Sequence, residues 1–381
     1  MMVPASNDSL IADLLEKSEL ADLYHKVQNG HRLAREDGLR LYQSNNILAI
    51  GHLANIVREK KNGDVAYYIV NVHINYSNIC KNNCRFCAFS RRDTEENGAY
   101  EMTIEEILER ARQVRLSGAT EIHIVGGAHP NWPFSRYLEM IGKVHNLFPH
   151  VHLQAFTAVE IAHIAEMAKL SVRETLQELK KAGLGSLPGG GAEIFSPRVR
   201  SLVCPEKLPG ETWLEVMREA HQLGLRSNAT MLYGHVETPE ERIDHMLKLR
   251  ELQDETGGFM SFIPLAFHPV NTELNDTPPT TGMMDLKTLA IGRLMLDNFD
   301  HIKAFWIMLG IKMAQVSLWF GVDDIDGTVV EERITHSAGA ETPQALTVKE
   351  LRRLIVEAGR VPVERDTLYQ FVERESPGVL E

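Results

Sequence analysis

Three of the four cysteines fall within eight residues, Cys80-Lys81-Asn82-Asn83-Cys84-Arg85-Phe86-Cys87, in the spacing C-x3-C-x2-C. Thiols grouped this closely are poorly placed to staple distant parts of a 381-residue chain with disulfides, so a metal site is the better reading. Three thiolates can ligate three irons of a [4Fe-4S] cubane and leave the fourth iron open to a ligand from outside, whereas electron-transfer clusters usually have four cysteines. The missing fourth cysteine is the informative feature. Zinc competes, since it accepts three cysteines with a histidine, but zinc knuckles usually carry a second ligand pair at a distance and none is visible. A non-catalytic metal-cluster protein stays open on spacing alone. Cys204, alone in Leu202-Val203-Cys204-Pro205, reads as a small buried or loop residue.

The cysteine loop has to be held by something. Just before it, Val70, Val72, Ile74 and Tyr76 alternate with period two inside the run 65–76, which predicts a strand. Further strands are predicted at 120–125, 151–156, 184–187, 226–232, 259–264, 302–306 and 316–320. Between them lie helical patterns at 103–116, 173–182, 211–223, 239–255 and 285–298, with Thr103 and Glu106 forming a capping box at the first. Eight strands, each followed by a helix, make an α/β chain that closes as a (β/α)8 TIM-type barrel, whose active sites sit at the C-terminal ends of the strands. The cysteines then lie at the barrel mouth.

Upstream, residues 9–60 read as helices. Leu10, Ile11, Leu14 and Leu15 share a face, Ile50, Leu53, Ala54 and Val57 repeat the spacing, and Gly30 and Gly38 are the expected breaks. The expected organisation is a helical N-terminal extension over 1–64, a barrel over 65–322 and a C-terminal appendage over 323–381.

With 44% hydrophobic and 24% charged residues the chain has the balance of a soluble globular protein. Its net charge of −12 argues against a nucleic-acid partner, because Lys and Arg are dispersed among more numerous acids. No signal peptide and no bilayer-length apolar run is visible, so no membrane partner is expected and the cytoplasm is the expected location.

Other segments have local readings. Gly126 and Gly127 follow the second strand and remove side chains where backbone must approach a ligand. Gly189 to Gly191 is not a phosphate loop, because no Gly-Lys-Ser/Thr follows. The acidic run Asp323, Asp324, Asp326 does not match a calcium loop and reads as turn and capping chemistry. Of the sixteen histidines, His129 and His268 stand out only by lying at predicted strand ends.

The cysteine motif, with the aromatic Phe86 before its third cysteine, resembles that of the radical S-adenosylmethionine (SAM) superfamily. Further segments, among them Val125-Gly126-Gly127-Ala128-His129-Pro130 and Gly189-Gly190-Gly191-Ala192-Glu193-Ile194-Phe195, with 154–161, 230–238, 263–269 and 319–328, are similar to the aminodeoxyfutalosine synthase family. The resemblance implies a cluster on Cys80, Cys84 and Cys87, with SAM bound near Phe86, Gly126, Gly127 and Glu193 and an electron donor such as flavodoxin or ferredoxin. It implies a transferase of menaquinone biosynthesis, on the futalosine pathway. The adenosyl radical adds to the alkene of 3-[(1-carboxyvinyl)oxy]benzoate, an aromatic dicarboxylate enol ether, and the products are aminodeoxyfutalosine, methionine and bicarbonate. Two substrate carboxylates then need donors, for which Arg293, Lys303 and His336 are candidates, with His129 and His268 as further substrate-binding candidates and Phe267, Trp306 and Trp319 as candidate apolar walls. Sister families, the cyclic dehypoxanthinyl futalosine synthases and the deazaflavin-core synthases, share the first segments in altered form and remain the alternatives.

Overall fold

The computed structural model describes residues 7–374 apart from residue 113. Its strands are β1 (Val65–Ile69), β2 (Asn71–Ile74), β3 (Glu121–Ile124), β4 (His152–Ala155), β5 (Ser186–Leu187), β6 (Arg226–Tyr233), β7 (Phe259–Ala266), β8 (His301–Ile302), β9 (Asp324–Gly327) and β10 (Val361–Glu364). From β2 to β8 they pair in sequence order as one seven-stranded sheet, and β1 lies between β10 and β9 in a second sheet. Every pairing is parallel.

The segment around β9 closes the ring. The Ala304 N–H donates to the Asp324 carbonyl at 2.8 Å, the Tyr67 N–H to the Asp323 carbonyl at 2.7 Å, and the His73 N–H to the Val330 carbonyl at 3.1 Å. Residues 323–330 thereby span the gap between β8 and β2, and the sheet curls into a TIM-type α/β barrel. The stretch 316–320, expected to be the eighth strand, instead completes the helix Ile311–Ser317 and the turn after it. Its apolar residues do not alternate between core and solvent: Ser317 and Leu318 are both buried and Val316 and Trp319 both exposed.

The strand faces explain why the wall forms. Val72, Ile74, Ile122, Ile124 and Leu153 belong to the hydrophobic core, where the helices cover them. The alternate residues Asn71, His73, Glu121, His123, Gln154 and Asn228 line the space inside the barrel. Barrels are usually filled by layers of branched apolar side chains. This one places those polar side chains at its depth, below a lining of Val125, Leu232, Ile263, Leu265 and Phe267.

Helix starts fix the loops at the mouth. Thr103 and Glu106 form the expected capping box, the Glu106 N–H donating to Thr103 Oγ1 at 3.2 Å and the Thr103 N–H to Glu106 Oε2 at 2.7 Å. The same box opens the helices at Thr157, Ser171, Thr238 and Thr347; a cap of this kind contributes about 1 kcal/mol. Thr157 and Thr238 follow β4 and β6, so these caps pin the crossover from strand to helix on the cysteine side.

In the N-terminal helices Ile50, Leu53 and Ala54 are buried as expected, whereas Leu14 is exposed and Leu15 buried, so these two do not share a core face. The side chains of Leu10 and Ile11 lie outside the described residues. Gly30 follows the helix Ala21–Gln28 as a break, but Gly38 sits within the helix Arg35–Gln43. A Cβ there would stand 2.6 Å from Ile243 Cδ1 and 2.9 Å from Met295 Sδ. This glycine lets two barrel helices approach instead of ending its own.

Candidate active site at the barrel mouth

The cysteine loop leaves β2 and is stitched to its surroundings by backbone. The Cys80 N–H donates to the Arg91 carbonyl at 2.8 Å, the Lys81 N–H to Ala128 at 2.9 Å and the Arg85 N–H to Val203 at 2.8 Å. The Asn83 N–H reaches the Glu206 carboxylate at 2.9 Å. Cys80, Cys84 and Cys87 are free thiols, and all three line one cavity of about 330 Å³ that runs from this loop down the barrel axis. Among the described residues no three His, Cys, Asp or Glu side chains converge on a single ion. A cubane asks for something else, one thiolate on each of three irons around a shared space, and the donor set fits it. Burial pushes the Cys84 thiol up to about 12, and raises Cys80 as well, so a metal must displace these protons on binding. Cys204 is a buried free thiol that does not line the cavity.

The two glycines after β3 have a reason in the structure. A Cβ on Gly127 would overlap the Ile79 carbonyl oxygen and stand 3.0 Å from Cys80 Cβ, and one on Gly126 would stand 2.7 Å from the Tyr76 ring. Both glycines line the cavity, so their bareness admits the cysteine loop on one side and open space on the other. Glu160 holds them in place. Its Oε1 accepts from Tyr76 Oη at 2.7 Å and from the Gly126 N–H at 3.0 Å, and its Oε2 from the Thr157 N–H at 2.8 Å. One buried carboxylate thus ties the end of β2, the glycine turn and the cap after β4. Its only trace in the sequence is the Thr-x-x-Glu pattern of the capping box.

Glu193 lines the cavity in the left-handed backbone region at φ 49. Lys207 Nζ meets its Oε1 at 2.6 Å, with the two side chains 11% and 8% exposed. The same ammonium lies 5.2 Å from the Phe86 ring centroid. Burial works against the charge on Lys207, but Cys84, Glu193 and Cys204 overrule it and hold the ammonium above its ordinary range. Nothing in the spacing of Lys207 marked it in advance; only the fold brings it to Glu193 and Phe86.

The remaining expected site residues divide. His268 and Lys303 line the cavity, His268 through a ring whose Nε2 lies 2.9 Å from the Met308 carbonyl. His129 does not line it, although Ala128 beside it does; its Nε2 meets Glu101 at 2.8 Å and its ring stacks on Trp132. His336 is likewise outside the lining, with Nδ1 on Glu332 and Nε2 3.0 Å from the Thr342 carbonyl. The hydrogen bond to Glu332 pushes it up to about 9. Arg293 stands outside too, fully buried, donating to the carbonyls of Gly321 at 2.8 Å and Asp300 at 3.1 Å and to the Asp323 carboxylate. The acidic run is therefore ion-pair chemistry more than turn chemistry: Asp323 meets Arg293 and Asp324 meets Arg365. Of the three expected walls only Phe267 lines the cavity. Trp306 is core and donates to the Gly327 carbonyl at 2.8 Å, and Trp319 is 50% exposed under Arg360.

A three-thiol loop at the mouth of a parallel barrel defines a class, and comparison with known proteins agrees. The radical SAM superfamily matches residues 74–249 and the CofH/MqnC C-terminal region residues 256–378. An aminodeoxyfutalosine synthase of Thermus thermophilus is 51% identical over 93% of this chain and 96% of its own length, and one of Streptomyces coelicolor is 45% identical over 93% and 95%. A 5-amino-6-(D-ribitylamino)uracil–L-tyrosine 4-hydroxyphenyl transferase of Methanopyrus kandleri is 42% identical over 84% and 88%. The crystal structure of methylornithine synthase superposes with a TM-score of 0.72 at 19% identity, over 89% of this chain and 97% of that one. The chain belongs to the radical SAM superfamily, in the family that includes the aminodeoxyfutalosine synthases. Enzymes of this superfamily use a [4Fe-4S] cluster and SAM. Among the described residues no helix is long and apolar enough to cross a membrane.

Proposed function

We propose that the chain joins the 5'-deoxyadenosyl group of SAM to 3-[(1-carboxyvinyl)oxy]benzoate, with water, to give aminodeoxyfutalosine, methionine, bicarbonate and a proton in menaquinone biosynthesis. The observation that carries this reading is the 51% identity to a synthase of that name along nearly the whole of both chains. In this reading Cys80, Cys84 and Cys87 would hold the cluster, which together with SAM would supply a carbon radical. An electron is needed from outside, and we assign it to a flavodoxin or ferredoxin. A reducing cytoplasm is the compartment that keeps such thiols available.

The chain's own side chains then have three tasks. Gly126 and Gly127 leave backbone bare where the methionyl end of SAM lies against the cysteine loop. Glu193 would accept from the SAM ammonium, and Lys207 keeps that carboxylate aimed. Val125, Leu232, Ile263, Leu265 and Phe267 line the cavity between the glycines and its polar depth, and exclude water where a radical has to meet its acceptor before anything else.

Incubated anaerobically with reductant, SAM and the enol ether, the protein is expected to form a product carrying the adenosyl group covalently, with methionine in equal amount. A radical that adds to an alkene stays in the product; one that abstracts hydrogen leaves as 5'-deoxyadenosine. Mass spectrometry separates the two, and 5'-deoxyadenosine without adduct would remove this assignment. Running L-tyrosine with 5-amino-6-(D-ribitylamino)uracil in parallel tests the reaction named for the Methanopyrus relative.

Glu193→Gln keeps the shape and removes the charge that faces Lys207. SAM affinity is expected to fall about tenfold or more, the loss of one charge-assisted hydrogen bond, with iron content unchanged. Calorimetric titration of SAM into the anaerobic protein reads this directly, and equal affinity would confine Glu193 to anchoring Lys207.

A further inference from the structure

The depth of the cavity is chemically unlike its mouth. Along β3 the residues Glu121, His123 and Val125 line it in turn, ending in Gly126 and Gly127. At about 3.3 Å per residue, His123 lies about 13 Å below Gly127. His73 is its register partner on β2, and the two imidazoles stack with centroids 4.5 Å apart and planes 8° apart. Lys303, the residue after β8, enters the same depth. It is 7% exposed, and its contact to a carboxylate is Asp326 at 3.7 Å, which is beyond hydrogen-bond length. Among the described residues no hydrogen bond to its ammonium is found. A buried ammonium left with open N–H donors on a cavity is costly unless something fills its hydrogen bonds.

We propose that this depth is a carboxylate seat, in which Lys303 with His73 takes the ring carboxylate of the substrate and leaves the alkene facing the cysteine end. The assignment rests on the reading of the reaction given above. The enol ether carries its carboxylates at two ends: one on the alkene carbon beside the bond-forming carbon, the other across the aromatic ring. With the radical generated beside the cysteine loop, only the ring carboxylate can reach the far end. The ring then falls in the apolar belt of Val125, Ile263 and Leu265, which line the middle of the cavity.

The donors are arranged for an anion. The Asn71 amide nitrogen lies 3.5 Å from His73 Nε2, the contact that a ring carrying its proton on Nδ1 would accept. His123 Nδ1 lies 3.2 Å from Gln154 Oε1, which fixes its ring as the platform under His73. Two acids, Glu121 and Asp326, also line this depth. Glu121 accepts from the Asn71 amide at 3.3 Å. Asp326 backs Lys303, and Arg365, the neighbouring buried cation, is held by Asp324 at 2.7 Å. Burial holds both imidazoles down, and the Lys303 charge adds to this, so Lys303 supplies the full charge that a carboxylate needs.

The test compares the natural enol ether with its phenyl analogue, which lacks the ring carboxylate, by kcat/KM for adduct formation. Wild-type protein is expected to prefer the carboxylated ether by at least about 30-fold, the worth of a charged hydrogen-bonded contact. Lys303→Gln is expected to lose about the same factor on the carboxylated ether and to show no further loss on the phenyl ether. Lys303→Arg is expected to recover part of the preference. Iron content and SAM affinity are measured on each variant and are expected to match wild type. Equal use of both ethers by wild type, a comparison that needs no variant, overturns the seat, as does a preference that survives in Lys303→Gln. If wild type cleaves SAM but forms an adduct with neither ether, the reading of the reaction fails and the seat assigned on it falls with it.

Discussion

Replacing any one of Cys80, Cys84 or Cys87 with alanine is expected to abolish cluster assembly and methionine release together, while Cys204→Ala abolishes neither. A cubane left with two protein thiolates has two irons without a protein ligand, and burial already opposes ionisation of Cys80 and Cys84, the latter pushed up to about 12. Cys204 is also a buried thiol raised by burial, so desolvation alone does not separate it from the three. Its position does, since it is absent from the lining that the three share. Iron analysis and methionine quantification on all four variants decide the matter. A cluster retained in any of the three, or lost with Cys204, would contradict the assignment.

The second large effect is one of stability. Arg293→Met is expected to destabilise the protein by about 3–5 kcal/mol, because it leaves a buried carboxylate without its cation. Asp323 is fully buried, and among the described residues its hydrogen-bond partners besides Arg293 are His301 Nδ1 at 2.6 Å and the Ile302 N–H at 2.8 Å. Those three partners tie a barrel helix, β8 and the approach to β9 to one side chain. Denaturant unfolding of the apo-protein measures the change without reference to the cluster, and a midpoint equal to wild type would show the pair to be dispensable. Because Arg293 lies outside the cavity, the variant that remains folded is expected to bind SAM normally.

What could be read from the sequence follows from where the physics is local. The cysteine loop was legible because three thiols in C-x3-C-x2-C have few other uses, and the capping box at Thr103 because both of its partners lie within four residues. The run 65–76 showed through the alternation of Val70, Val72 and Ile74, although the fold divides it between β1 and β2. β9 did not. Its residues Asp324, Ile325, Asp326 and Gly327 read as a polar turn, and only the arrival of Arg365 and Lys303 from elsewhere in the chain turns them into buried strand. Conversely, Val316 and Leu318 carry strand-like side chains in a segment that the backbone winds into a helix and turn. Arg293 and His336 were plausible carboxylate donors by type and approximate position. Nothing local could show that Asp323, 30 residues on, had already claimed Arg293, whereas Glu332 lies one helical turn before His336 and was there to be read. Lys207 and Glu160 failed to stand out for the matching reason: each works through partners that are remote in the chain.

The pairing of β1 sets an order of events during synthesis. Its two neighbours, β9 and β10, are made last, so as the chain leaves the ribosome β1 has no strand to bond to until residues beyond 324 emerge. β2 meets β3 almost at once, and the wall can grow strand by strand through β8 while the seam beside β1 stays open. For that interval the three cysteines are already displayed on a loop anchored by β3, in a vessel with one side missing. The last strands then shut that side.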